Sequence, residues 1–188
     1  MKAHPKITRD QALSQLRATS IGGNKPSGPK VDRPLMPKQY GLPKHKKELL
    51  PWSYIVEQMT EAKHYWICTV TLDGRPHATP VDGLWLDDAL YFRGSPESLW
   101  HRNIAANPAV SVHLESTLKV VILRGHAYGV CRIDRLLAEM LAMASKGKYG
   151  YEPRPEDYQE RGVYVFRPHV VIAWKQFPKD ATRWRFSP

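Results

Sequence analysis

The stretch from Tyr65 to Leu114 constrains the fold most, because nearly every break in its pattern is marked by a turn residue. Residues 65–72 are rich in β-branched and aromatic side chains, which suit a pleated, half-buried surface. Asp73-Gly74 is a two-residue hairpin signal, since glycine tolerates the positive φ that such turns require. The stretch predicts a strand, a tight turn, two more strands, a short helix and another strand.

The second of these strands, from Arg75 to Val81, contains two prolines. Pro76 and Pro80 lack an amide donor, so this strand is predicted to lie at a sheet edge or a bulge, with one side of its backbone unpaired. Arg75, His77 and Thr79 recur at period two and therefore face one way. Such a strand suits a ligand-binding shelf, and it equally suits a solvated edge whose polar side chains face water.

The rest of the pattern predicts a small antiparallel barrel of six or seven strands with two or three helices, a mainly β (α+β) fold. Asn107-Pro108 ends the short helix, because proline disfavours helical geometry in the residue before it. The other expected elements are a helix over residues 51–63, an amphipathic helix over 134–145, a loop over 147–158, and strands over 109–115, 119–130, 163–166, 170–174 and 182–186.

The net charge of +10 is concentrated in the first quarter of the chain. Residues 1–47 hold 11 Lys or Arg and 2 acidic residues, whereas the remaining 141 hold 17 and 16. Five prolines between Asn24 and Lys47 predict an extended or mobile linker, and Thr8 to Gln11 resemble a capping box that opens a short helix. We interpret residues 1–48 as a basic, Pro-rich, partly flexible arm and residues 49–188 as the folded domain. The nearly neutral domain argues against a nucleic-acid partner.

Two cysteines, Cys68 and Cys131, lie in apolar, strand-like segments and are interpreted as buried, reduced thiols. No metal-ligand spacing involves them. The N-terminus lacks the apolar core of a signal peptide, and no run approaches the roughly 18 apolar residues of a membrane span. We therefore expect a soluble, cytoplasmic protein with neither a metal site nor a membrane partner.

The order of a helix, a three-stranded meander and the segment YFRGSPESLWHRNIAANPAVSVHL resembles the pyridoxamine 5′-phosphate oxidase-like family of flavin- and deazaflavin-binding split β-barrels. The closing TRWRFSP supports the resemblance, because members often finish on an Arg, an apolar residue and a Pro, here Arg185, Phe186 and Pro188. The resemblance covers roughly residues 49–188. It implies a split β-barrel that forms a homodimer, with two cofactor sites where the barrels meet.

The resemblance also implies which strand contacts the cofactor. In the family the second strand of the meander lies beside the flavin ring. At the matching positions this chain has Arg75, His77, Thr79, Pro80 and Val81. A bulged edge strand fits this role physically, since its amide and carbonyl groups can meet the polar edge of a flavin.

The segment after the third strand usually supplies Ser-Arg-Lys to the cofactor phosphate in this family. This chain has Ser98-Leu99-Trp100 there, so both cations are missing. Arg102, one helical turn beyond Ser98, is the expected replacement, with Arg93 and His101 nearby. The N-terminus of the short helix also attracts an anion.

Two more regions are implicated by the resemblance. The family often has a glutamine that reaches the ring where this chain has Val120, and the neighbouring Lys119 is the candidate contact from the other subunit. Near the C-terminus, Arg183 and Arg185 are candidates for the phosphate or the ring, and we expect one of the two to serve. No catalytic residue is assigned.

The leading interpretation is an FMN-dependent oxidoreductase that moves a hydride to or from a small organic substrate, because the cofactor performs the transfer and no acid–base pair is required. One alternative is a reductase that uses coenzyme F-420, whose acidic tail the basic residues of the arm next to the domain, Lys44, Lys46 and Lys47, would contact. Another is a non-catalytic split barrel that binds flavin or haem, for which the chain offers His64, His77, His101, His113, His126 and His169.

Overall fold

The structure is a computed structural model that describes residues 28–151 and 153–186. The helix expected near the start of the arm lies outside these residues. The described chain falls into two compact units, one made of residues 28–130 and 163–186, the other made of residues 131–151 and 153–162. The candidate site residues of the sequence analysis all belong to the first unit.

Among its described residues, the first unit contains eight strands and two α-helices. The helices are α1 (Trp52–Glu61) and α2 (Leu99–Ala106), and a 3-10 turn spans Lys38–Tyr40. The strands are β1 (Lys30–Asp32), β2 (His64–Val70), β3 (Pro76–Leu86), β4 (Ala89–Phe92), β5 (Ala109–His113), β6 (Val120–Val130), β7 (Val163–Trp174) and β8 (Thr182–Arg185).

Six antiparallel strands close a barrel in the order β7-β4-β3-β2-β5-β6, and β6 pairs again with β7. The first half of β7 pairs with β4 and its second half with β8, while β6 follows it along most of its length. β1 pairs with β8 outside the closed barrel. The predicted mainly β antiparallel barrel with helices is confirmed.

The barrel interior is filled by alternate side chains of the strands. On β2, Tyr65, Ile67 and Thr69 are buried, whereas the side chains between them are exposed or half-buried. Period-two burial of this kind removes apolar area from water at about 25 cal/mol per Å², which makes the interior the main stabilising element. The only polar member of this set, Thr69, accepts a hydrogen bond from the Asn103 amide at 2.9 Å, which connects α2 to β2.

A bulge allows β7 to run unbroken past Pro168. The register of the β6–β7 ladder shifts between Arg124 and Gly125, which leaves His169 as an extra residue on β7. The sequence predicted two strands separated at this proline, and that was wrong because β6 pairs with both halves. Gly125 is needed at the shift, since a Cβ there would lie 2.0 Å from the carbonyl oxygen of Arg167.

The second unit is a pair of helices, α3 (Arg135–Tyr149) and α4 (Pro155–Arg161). The Asp134 carboxylate caps α3 by accepting the Leu137 amide, and Gly150 ends α3 at φ 77°. The loop expected over residues 147–158 was wrong, because Pro155 starts α4 and the Asp157 carboxylate accepts the Arg154 amide. None of the helices in the described residues is long and apolar enough to cross a membrane.

The cysteines are less buried than expected. Cys68 is half-buried on the outer face of β2, and burial raises the pKa of its thiol. Cys131 is exposed, because it follows the last residue of β6 rather than lying within the strand. Both thiols are free.

The described part of the arm is held against the barrel strands by one guanidinium group. Arg33 donates to the carbonyl oxygens of Lys47 at 2.7 Å and of His45 at 3.2 Å, and also to those of Lys179 at 2.8 Å and of Ala181 at 3.0 Å. It therefore ties residues 45–47 to the β7–β8 connection. Composition predicted an extended linker here. It indicated neither the strand β1 nor the hydrogen bonds that Arg33 makes to backbone carbonyls.

Replacing Gly125 by Ala should lower the free energy of unfolding by about 2 to 3 kcal/mol, because the added methyl group meets backbone that cannot move aside. Gly129→Ala is the matched control on the same strand, since its Cβ would make ordinary contact with the Tyr164 ring at 3.5 Å. Urea denaturation of both variants measures the difference. Equal losses of stability would show that the bulge tolerates a side chain.

Candidate functional site

β3 presents an unpaired backbone edge over its proline-containing half. Pro76–Asp82 pairs with β2 on one side, while β4 pairs only with Gly83–Leu86. No other strand of the described chain borders this half. The prediction that the prolines mark an edge is confirmed, and the physical reason is that the four-residue strand β4 ends at Phe92, opposite Gly83.

The side chains of β3 divide between two faces. His77 and Thr79 are half-buried and lie opposite residues of β2 that point into the barrel, and Val81 is 8% exposed in the core. Pro80 is exposed on the outer face. Arg75 lies in the preceding turn, where its Nε meets the Asp73 carboxylate at 2.8 Å. Of the five residues expected beside a flavin ring, the structure therefore places only His77 and Thr79 together as accessible neighbours on one face.

The loop that leads into α2 begins next to this open edge. The β3–β4 ladder ends at the Gly83–Phe92 pair, so residues 93–98 depart where the unpaired half of β3 begins. Ser98 is the N-cap residue of α2, yet its side chain does not cap the helix, because its Oγ donates to the Ser95 carbonyl at 2.7 Å. The first amides of α2 thus lack a side-chain acceptor, and such amides attract anions.

Arg102 and Trp100 follow Ser98 on α2 but occupy different environments. Arg102 is exposed, one turn from Ser98. Trp100 is 6% exposed, and its ring packs against Phe92 at 5.4 Å and Tyr164 at 5.0 Å. The Trp100 ring is part of the core, so its proposed contact with a cofactor has no accessible surface to use.

A row of half-buried side chains crosses the outer face of the barrel. Trp66 lies opposite His113, His113 opposite Ile122, and Ile122 opposite Ile172. The Trp66 and His113 rings are stacked, with centroids 6.2 Å apart and planes within 6° of parallel. We call this row the outer apolar row (Trp66, His113, Ile122 and Ile172).

Lys119 lies at one end of this face. It is exposed in the connection between β5 and β6, where its amide donates to the Ser116 hydroxyl at 2.9 Å. The adjacent Val120 is half-buried on the outer face, opposite Trp174. Lys119 therefore lies on the β5–β6 connection, and belongs neither to the open edge of β3 nor to the start of α2.

Arg183 and Arg185 are bound to an acidic residue of the arm. The Asp32 Oδ1 accepts from Arg183 Nε at 2.8 Å, and its Oδ2 accepts from Arg183 Nη2 at 3.1 Å and from Arg185 Nη2 at 2.5 Å. The Arg183 side chain, and to a lesser degree that of Arg185, holds the pKa of Asp32 below its usual value. These are the two arginines that the sequence analysis assigned to a phosphate.

Asp32 is the member of this cluster that the sequence did not reveal. The available signal was weak, because Asp32 is only one of two acids in a strongly basic arm. Its contacts lie 151 and 153 residues away along the chain. No local pattern predicts such a pairing, which depends on β1 adding to the edge of β8.

Two of the histidines considered for haem lie close together beside the bulge. The His126 and His169 rings are 5.1 Å apart. Burial, together with the charges of His126 and Arg124, lowers the pKa of His169. Within the described ranges, no three His, Cys, Asp or Glu side chains are grouped so that they could hold a metal ion.

Comparisons with known proteins agree with this barrel. The family described as pyridoxamine 5′-phosphate oxidase matches residues 53–175. A putative pyridoxamine 5′-phosphate oxidase from Listeria innocua is 19% identical, with 66% of this chain and 98% of that chain covered and a TM-score of 0.50. A haem-binding protein from Mycobacterium smegmatis is 23% identical, with 71% and 58% covered and a TM-score of 0.54.

A solved F420 reductase is 25% identical to this chain, with 64% of this chain and 96% of that chain covered and a TM-score of 0.49. Among curated proteins, none matches. The likenesses to the Listeria innocua and Mycobacterium smegmatis structures support the fold.

The Asp32 contacts predict a pH-dependent contribution to stability. A carboxyl group whose pKa is lowered in the folded protein stabilises it above the unfolded pKa, and the contribution is lost as pH falls through the folded pKa. Asp32→Asn should therefore lower the free energy of unfolding at pH 7 by about 1 to 2 kcal/mol, a discounted value because Arg185 is 39% exposed. The difference should shrink below about pH 4.

Urea denaturation at pH 7 and at low pH measures this difference. Glu139→Gln is the control, since it removes an exposed pair with Arg135 and should leave the free energy of unfolding nearly unchanged. An Asp32→Asn protein as stable as wild type at pH 7 would contradict the assignment, as would a deficit that persists in acid.

Proposed function

This chain belongs to the pyridoxamine 5′-phosphate oxidase family, and on that basis we propose that it binds FMN and moves a hydride between the cofactor and a small organic substrate. The observation that carries the proposal is the unpaired edge of β3 together with the uncapped start of α2, because the loop into α2 departs from the end of β4, where that edge begins. One element offers backbone groups to a ring, and the other offers amides to a phosphate. The loop of residues 93–98 joins the end of β4, opposite Gly83, to α2.

The β3 edge fits the ring of a flavin. The pyrimidine part of that ring carries both donors and acceptors, which exposed strand amides and carbonyls can match without a particular side chain. Pro76 and Pro80 prevent another strand from adding along this edge in a regular ladder. His77 and Thr79 are the side chains that would border the ring and limit how it can lie.

The start of α2 fits the phosphate better than the C-terminal arginines do. The Ser98 hydroxyl and the first amides of α2 are close in the chain to the exposed guanidinium of Arg102. Arg183 and Arg185, in contrast, already share the Asp32 carboxylate. We therefore assign the phosphate to Ser98 and Arg102.

FMN, when bound, supplies the hydride chemistry itself. The residues of this chain would bind the cofactor, orient its ring and exclude water from one of its faces. Positioning of this kind requires no acid–base pair in the protein, which agrees with the absence of an evident one in the sequence. The substrate is proposed only as a small organic molecule.

We propose that two copies of the chain associate through the outer apolar row. Its side chains are half-buried although they point away from the barrel interior, and a stacked Trp–His pair stands next to two isoleucines. Aromatic and aliphatic side chains at the centre of a flat face are typical of homodimer interfaces. Such a dimer would bring Lys119 of one subunit toward the other.

A second candidate function is reduction that depends on coenzyme F-420. It is favoured by the anchoring of the basic segment 44–47, because Arg33 binds the carbonyl oxygens of His45 and Lys47. Lysines on an anchored segment suit the acidic tail of this cofactor better than lysines on an unanchored segment would. The ring would use the same β3 edge.

Arg102→Ala should weaken FMN binding at least tenfold, about 1.4 kcal/mol, because it removes a charge-assisted contact with the phosphate. Arg132→Ala is the control, since Arg132 is an equally exposed cation outside the first unit. Flavin fluorescence titration measures both affinities. Unchanged FMN affinity in Arg102→Ala would remove Arg102 from the phosphate site.

Ile122→Glu should convert the dimer to a monomer, because a carboxylate buried in an apolar interface loses its hydration without gaining a partner. Tyr128→Glu is the control on the same strand, at a position that is 55% exposed. Sedimentation velocity distinguishes the two states. A monomeric wild-type protein, or a dimeric Ile122→Glu protein, would refute the proposed interface.

A further inference from the structure

We infer that Arg183 and Arg185 form a second oxyanion site, filled in this structure by the chain's own Asp32, for which a phosphate group competes with strand β1. The site is separate from the FMN phosphate position assigned to Ser98 and Arg102, so it does not rest on the proposed function. Its ligand class is inorganic phosphate or a phosphate monoester. The arm thereby acts as a strap over the site.

The donors at this site outnumber the oxygen atoms that Asp32 supplies. Two carboxylate oxygens accept three N–H groups, two from Arg183 and one from Arg185. The Nε of Arg185 is buried and has no acceptor among the described residues. A buried donor without an acceptor loses its hydration without compensation, so the carboxylate satisfies this pair of guanidinium groups incompletely.

A phosphate group matches this donor set better than a carboxylate does. It presents three terminal oxygens in a tetrahedral arrangement, which provides an acceptor for Arg185 Nε in addition to those that Asp32 provides. Its second negative charge is also favoured by the surroundings. Lys30 and Val170 lie opposite Arg185 on its two sides, and Arg124 lies opposite Val170, so three cations share this row of the outer face.

The strap is short and can open locally. β1 has three residues and pairs with β8 alone among the described strands. Arg33, the next residue, is fixed separately through four backbone carbonyls. Residues 30–32 can therefore separate from β8 while the chain stays attached at Arg33, and short edge segments open at low free-energy cost.

The attachment also explains why a weak anion would not displace Asp32 easily. A carboxylate held on the same chain, one residue before the anchor Arg33, competes at a high effective concentration, of the order of millimolar or more. Removing that carboxylate should expose the full affinity of the two guanidinium groups. Wild-type protein should bind phosphate weakly at this site, and an unstrapped variant should bind it well.

The test is calorimetric titration of the full chain with inorganic phosphate at constant ionic strength, set with chloride. Asp32→Asn should bind phosphate at least tenfold more tightly than wild type. Adding Arg183→Gln to Asp32→Asn should abolish the gain, whereas adding Arg102→Ala should leave it. Asp32→Glu retains a carboxylate and should behave like wild type.

Three results would overturn the inference. These are equal phosphate affinity in Asp32→Asn and wild type, a gain that survives Arg183→Gln, and a gain lost with Arg102→Ala, which would place the anion at α2. If Asp32→Asn does not fold, hydrogen exchange of wild type decides instead. Phosphate should accelerate exchange of the β1 amides relative to chloride at equal ionic strength, and unchanged rates would contradict the strap.

Discussion

The pairing of β7 with three neighbours is the constraint on which the rest of the structure depends. Its twelve residues meet β4 in the first half, β8 in the second and β6 in both, so this strand alone closes the barrel and extends the sheet. The bulge beside Gly125 makes that possible, because it accommodates Pro168 without ending the ladder. Without it, β8 and the arm strand β1 would have no edge on which to add.

The open edge of β3 is a consequence of the same closure. β4 has only four residues and pairs with β3 on one side and with β7 on the other, so the first half of β3 keeps one free side. The two prolines also disfavour pairing along this free side. The open edge and the closure of the barrel are therefore two results of one strand arrangement, and the loop to α2 starts where the open edge begins.

Local patterns predicted the elements and missed what depends on distant contacts. The prolines of β3 and the Asp73-Gly74 turn could be read directly, because backbone chemistry acts at the residue that carries it. The burial of Trp100 could not be predicted in this way. Nothing in the sequence Ser98-Leu99-Trp100 shows that Gly94 leaves room for the indole ring in the core. The β7 prediction failed because periodicity does not reveal a bulge supplied by a partner strand.

The two proposed anion sites differ in how they are prepared for a ligand. At α2 the Ser98 side chain does not cap the helix and Arg102 is exposed, which suits a cofactor that binds on encounter. At β8 the guanidinium groups are paired with Asp32, which suits a ligand that must displace the arm. The arm, whose excess of basic residues indicated a solvated tail, thus carries the carboxylate that pairs with both C-terminal arginines.

The measurement that tests the central claim most directly is a parallel fluorescence titration of the apo protein with FMN, riboflavin and coenzyme F-420. The account predicts FMN binding in the micromolar range, at least tenfold tighter than riboflavin, because only FMN has a phosphate for the start of α2. Preference for coenzyme F-420 would move the function to deazaflavin-dependent reduction. Binding of none of the three would contradict the account and leave the barrel without the cofactor site proposed for it.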